Sequence, residues 1–109
     1  MNAEVKRLCA TREWRRAIDV ALRIMPGPGS GKAESLVFIG DCIIKGCPEG
    51  TERDQLLIEI IESLLHLGDI EHPRACLDAL NDNSQRERFA QMIEQALRSR
   101  LSDVHENVP

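Results

Sequence analysis

Apolar residues recur at three- and four-residue spacing in six stretches of this chain, each closed by Gly, Pro or a small polar cluster. The pattern predicts a short first helix over residues 2–10, with Val5, Leu8 and Cys9 on one side. A second covers 12–25: Trp14, Ala17, Ile18, Ala21, Leu22 and Met25 share one face, while Arg12, Arg16, Asp19 and Arg23 occupy the other. Pro26, Gly27, Pro28 and Gly29 end it, because neither residue type propagates a helix. The third, over 32–45, carries Leu36, Val37, Phe38, Ile39, Cys42, Ile43 and Ile44 around more than half its circumference. The fourth, over 52–67, opens with Thr51 and Asp54 at capping-box spacing and leaves only Glu59, Glu62 and His66 as a narrow polar strip. A helix that is apolar nearly all round must be covered on several sides, so the third and fourth are expected at the centre.

Gly68 and Asp69 make the next turn, with Asp69 expected as N-cap of a fifth helix reaching residue 80 and Pro73 in its first turn, where a missing N–H costs little. Asn81, Asp82 and Asn83 form a turn. Ser84 and Glu87 are spaced as a capping box for a sixth helix that should bury Phe89, Met92, Ile93, Ala96 and Leu97. The expected organisation is one all-α domain over 1–100, with about six helices in antiparallel helix-turn-helix units. A polar tail over 101–109 is expected to be flexible. The halves also align with each other. Val5, Leu8, Cys9, Trp14, Ala17, Ala21 and Ile24 match Ile61, Leu64, Leu65, Ile70, Pro73, Leu77 and Leu80 at a constant offset of 56. Past the Gly-rich loop the offset becomes 53, matching Leu36, Ile39, Ile43 and Ile44 to Phe89, Met92, Ala96 and Leu97.

Composition narrows the function classes. With 42% apolar residues the chain can fill a core, and with three aromatics that core must be aliphatic, as helical folds permit. The net charge of −4 is uneven: residues 1–50 carry eight Lys/Arg against six Asp/Glu, and 51–109 carry six against twelve. That balance lacks the concentrated basic face of a nucleic-acid module. No apolar run is long enough to cross a bilayer and no signal-peptide core is present, so a cytoplasmic location with no membrane partner is expected. Cys9, Cys42, Cys47 and Cys76 include no CxxC pair, and His66, His72 and His105 complete no zinc spacing. The cysteines are expected to be reduced and structural, with no metal and no cofactor.

Residues 53–97 (RDQLLIEIIESLLHLGDIEHPRACLDALNDNSQRERFAQMIEQAL) resemble tetratricopeptide-like helical repeats, in which a helix ends in a small-residue turn and an Ile-Glu pair opens the next. Residues 12–45 are a weaker copy, and Pro73 stands where a small Ala is usual. The resemblance implies a right-handed stack of helical hairpins acting as a protein-binding scaffold, an adaptor or a small chaperone, the chaperones of bacterial type III secretion among them.

One motif points elsewhere. Residues 26–34 read PGPGSGKAE, and Gly29, Ser30, Gly31 and Lys32 match the phosphate-binding loop of nucleotide kinases. Pro26 replaces that motif's first Gly, Ala33 replaces the magnesium-binding Ser/Thr, and the preceding segment is spaced as a helix instead of a strand. A flexible connection is therefore expected, with Ser30 capping the third helix and Lys32→Ala leaving stability nearly unchanged. No Ser/His/Asp or Cys/His arrangement is legible, and no enzymatic activity is expected.

The remaining candidate chemistry is basic. Arg12, Arg16 and Arg23 line up at helical spacing with Arg15 at the edge, and only Asp19 lies among them. They are the expected contacts for another protein, with Glu59 and Glu62 as the second candidate surface. Three readings follow: an interaction module gripping a partner segment between helices, a self-assembling protein whose N-terminal half docks on the C-terminal half of the next copy, and a nucleotide-binding protein using the loop at 27–32.

Overall fold

The computed structural model describes residues 2–106, with side chains described from Asn2 to Leu101. All regular structure among them is helical: α1 (Ala3–Ala10), α2 (Trp14–Leu22), α3 (Lys32–Gly46), α4 (Thr51–His66), α5 (Pro73–Asp78) and α6 (Asn83–Glu106). Each helix packs on the next, and α1, α2 and α3 also pack on the next but one. That pattern places neighbours alternately in two layers. The shortest dimension, 17 Å, is what two helix layers about 10 Å apart occupy.

Leu36, Ile39 and Ile43 of α3 and Leu57, Ile60, Ile61 and Leu64 of α4 are wholly buried, and α3 touches α1, α2, α4 and α5. The two helices with the broadest apolar faces are thus the central ones. Gly40 explains how α5 comes so close to α3. A Cβ at that position would sit 2.7 Å from the Cys76 sulfur, inside any tolerable contact.

Several helix ends differ from the expected ones, for a shared reason. Short polar side chains have more than one backbone N–H within reach, and tertiary contacts choose among them. Thr51 and Asp54 form no capping box; the N-cap of α4 is Gly50 and has no side-chain cap. Asp54 instead accepts hydrogen bonds from the backbone N–H of Asn81 at 3.1 Å and of Asp82 at 3.0 Å, clasping the α5–α6 turn. Arg53 supports the same turn by donating to the Ala79 carbonyl at 3.1 Å. Asp82, not Ser84, caps α6, accepting from the N–H groups of Ser84 and Gln85. Asp69 does accept from the N–H groups of Glu71 and His72, but regular helix starts only at Pro73, which stands first in α5. Burial acts to raise the Asp69 carboxyl pKa. Those two N–H groups and the His72 ring, with Nδ1 at 2.7 Å, outweigh it and hold the group below its ordinary value.

The second helix begins at Trp14 rather than at 12, because Arg12 adopts a left-handed conformation, φ 61°. It closes α1: the N–H of Glu13 donates to Leu8 O at 2.9 Å and that of Arg12 to Cys9 O at 3.1 Å. The end of α4 is built the same way, with Asp69 N–H donating to Leu64 O at 3.0 Å, Gly68 N–H to Leu65 O at 2.9 Å, and Gly68 at φ 83°. The donors and acceptors of the two caps stand 56 positions apart. Glycine enters this conformation freely, whereas a residue with a Cβ loses roughly 1–2 kcal/mol doing so.

At its other end α2 stops at Leu22, so Met25 leaves the apolar face and is 79% exposed. The Lys32 ammonium donates to the Leu22 carbonyl at 2.9 Å, satisfying a C-terminal acceptor with a cation. Lys32→Ala is therefore expected to cost about 0.5–1 kcal/mol, more than the sequence suggests, and a denaturant titration would resolve it. Met92 and Leu97, expected in the core, are 43% and 39% exposed, since no described helix covers that side of α6. Residues 101–106 continue α6, and 107–109 lie outside the described residues.

Candidate functional site

The α1–α2 turn and the first turn of α2 face the start of α4 across a cleft of about 290 Å³. Arg12, Trp14, Arg15 and Arg16 form one wall, and Glu52, Gln55 and Leu56 the other. The local reasons are plain. The left-handed turn at Arg12 reverses the chain, and the buried stripe Ala17, Ile18 and Ala21 then fixes the rotation of α2, turning Arg15 and Arg16 outward. Trp14 is half-buried, its ring resting on Gly46, where a Cβ would meet it at 3.3 Å.

Not all the arginines are equally available. Arg16 pairs with Glu13 at 2.7 Å, and Arg15 pairs with Glu59 across to α4. Hydrogen bonds from the Thr11 hydroxyl and from Arg16 hold the Glu13 carboxyl below its ordinary pKa, so it stays charged beside them. Among the described residues Arg12 and Arg23 have no carboxylate partner. Arg23 is not part of this cleft: as the C-cap of α2 it stands at the far end of that helix. The expected line of Arg12, Arg16 and Arg23 thus divides, and Arg15 joins the first two.

Glu59 and Glu62 also separate. Glu59 is tied to Arg15, while Glu62 pairs with Arg88 of α6 at 3.7 Å and lines a different cleft with Leu65, His66, Phe89 and Met92. Sequence reasoning missed Trp14, which it had set on the apolar face of the second helix, and Glu52, Gln55 and Leu56, which join the cleft only because α2 packs on α4. No local signal marks that pairing.

The Gly-rich loop follows a helix, and its Lys32 is engaged by Leu22 O rather than turned toward Gly29 and Gly31. The cleft beside those glycines includes Glu34, an unfavourable neighbour for phosphate. Among the described residues there is no cluster of three or more His, Cys, Asp or Glu that could hold a metal ion, and no helix is long and apolar enough to cross a membrane. No family model, curated protein or solved structure matches this chain.

Proposed function

We propose that this domain is a protein-interaction module, of the helical-repeat kind its sequence resembles, that grips an acidic segment of a partner protein in the α2–α4 cleft. The observation that carries this reading is Arg12. It holds a left-handed conformation that the matching cap gives to Gly68, it is exposed, and it has no carboxylate partner among the described residues. Backbone strain retained at an exposed charged position is a mark of use, because a glycine there would fold better. A guanidinium so placed offers paired donors to a carboxylate, with Arg16 and the Trp14 ring alongside for the rest of the segment. The shared caps 56 residues apart support the repeat reading, and the tetratricopeptide-like resemblance favours a scaffold, adaptor or chaperone role in the cytoplasm.

Arg12→Gly tests this, because stability and binding should move in opposite directions. Removing the Cβ from a left-handed cap is expected to raise stability by about 0.5–1 kcal/mol, or a few degrees in Tm. The same change should weaken binding to acidic peptides selected from a random peptide library by roughly tenfold, the value of one charge-assisted contact. Arg12→Glu/Arg16→Glu should abolish that binding with little change in Tm. A library that enriches basic or neutral peptides, or acidic peptides that bind the Arg12→Gly variant unchanged, would contradict the proposal.

A further inference from the structure

Among the described residues, three of the four large apolar side chains left exposed lie on α6: Met92, Leu97 and Leu101, the last of them 68% exposed. Met92 opens on the cleft it shares with Leu65 and His66. Leu97 and Leu101 belong to another face, which their helical spacing shares with the exposed Ala90. Glu94 and Arg98 run along one edge of that face, and the buried Ile93 marks the other. From Glu94 to Leu101 no side chain is fully buried, and α5 is the helix on which α6 packs. A few turns of helix are marginal in water without tertiary packing, so this half of α6 needs a cover.

The other end of the stack is finished differently. At the offset of 56, α1 matches the second half of α4, and Glu4 stands where α4 has Ile60. Ile60 is wholly buried; Glu4 is exposed, as are Lys6 and Arg7. The α1 end is thus polar, like the terminal repeat that closes a stack, and it offers the α6 face no apolar counterpart on another copy.

We propose that the Ala90, Leu97 and Leu101 face of α6 is a self-association surface, covered by the same face of a second copy that runs antiparallel about a two-fold axis level with Ala96. In that pairing Leu97 lies against its own equivalent, and Leu101 fills the space over the small Ala90 of the other copy. The two-fold keeps the charged edges of both helices on one side, where Glu94 of each copy faces Arg98 of the other. Within one chain these two already pair at 2.7 Å and both are exposed, so they exchange partners without burying a lone charge. A parallel pair would set the charged edge of one helix against the Ile93 edge of its neighbour, leaving the charges unmatched. The charge pattern therefore selects the antiparallel dimer. One helix pair buries less than the roughly 1,200–2,000 Å² of a stable interface, so the dimer is expected to form and dissociate in the micromolar range. The face lies away from the α2–α4 cleft, and the inference stands apart from what that cleft binds.

Analytical ultracentrifugation of the full-length chain tests this, from micromolar to millimolar concentration. The mass is expected to rise from 12.2 kDa to twice that value and to stop there. Leu97→Asp/Leu101→Asp alters two exposed side chains. It should keep the helical circular dichroism and cooperative melt of the dilute wild type, yet stay monomeric throughout. Arg98→Glu leaves only carboxylates facing each other along the charged edge and should raise the dissociation constant roughly tenfold. Glu94→Arg/Arg98→Glu restores opposite charges across the axis and should bring the constant back. A chain that is monomeric at every concentration, as it would be if a different protein or a further helix covered the face, would overturn the proposal. So would a mass that climbs past the dimer, a dimer that the leucine variant leaves intact, or a loss from Arg98→Glu that the double reversal fails to restore.

Discussion

Ile61→Asp is expected to abolish cooperative folding of this domain at room temperature. Ile61 is wholly buried in α4, packed in the same core as Val5, Leu8, Ile39 and Leu64. A carboxylate there loses its water in a core cluster made of apolar side chains. Burying an unpaired charge, or raising its pKa enough to neutralise it, costs several kcal/mol, and the lost isoleucine packing adds roughly 2–3 kcal/mol more. A domain of this size has about 5–15 kcal/mol in total. Circular dichroism should show a broad, non-cooperative melt or none, with hydrophobic dye binding already present before heating. A sharp transition near that of the wild type would remove α4 from the centre of the fold.

Asp54→Ala is expected to have the next largest effect, roughly 2–4 kcal/mol, although the residue looks at first like a routine capping acid. Its carboxylate, 8% exposed, accepts from two backbone N–H groups that lie 27 and 28 residues away, at the turn where α5 gives way to α6. Alanine leaves both donors without their acceptor in a partly buried turn, and it removes a negative charge from the first turn of α4. Asp54→Asn keeps one carbonyl oxygen for one of the two donors and should cost clearly less. Urea titrations of the two variants would separate a clasp from a simple helix cap. If Asp54→Ala fell within a few tenths of a kcal/mol of the wild type, the turn would have to hold itself without α4. Hydrogen exchange at the Asn81 and Asp82 amides reads the same contact locally and should speed up most in the alanine variant.

Helix existence was legible in the chain because amphipathic spacing is a local property. Trp14 to Leu22, Leu36 to Ile43 and Leu56 to Leu64 announce their own buried faces, and no neighbour is needed to read them. The centrality of α3 and α4 was legible for the same reason. Arg12, Arg15 and Arg16 were visible as basic residues, yet not as one wall of a cleft with Trp14 opposite Glu52 and Gln55, because the packing of α2 on α4 joins residues some 40 positions apart. Arg12 itself, read as helical, proved to be the left-handed cap of α1. Side-chain identity does not reveal a positive φ unless the residue is glycine, and here it is not.

What the sequence alone determined, then, was the all-α class, the core faces, and the offset between halves that also relates the caps at Arg12 and Gly68. Tertiary structure decided everything that depends on a distant partner: which N–H groups Asp54 serves, that Glu59 claims Arg15 and Arg88 claims Glu62, and that Lys32 closes α2. It also left Met92 and Leu97 half in water, because burial of an apolar helix face requires a neighbour, and no described helix covers that side of α6. Local periodicity encodes which face of a helix is willing to be buried. Only the arrangement of the other helices determines how much of it is.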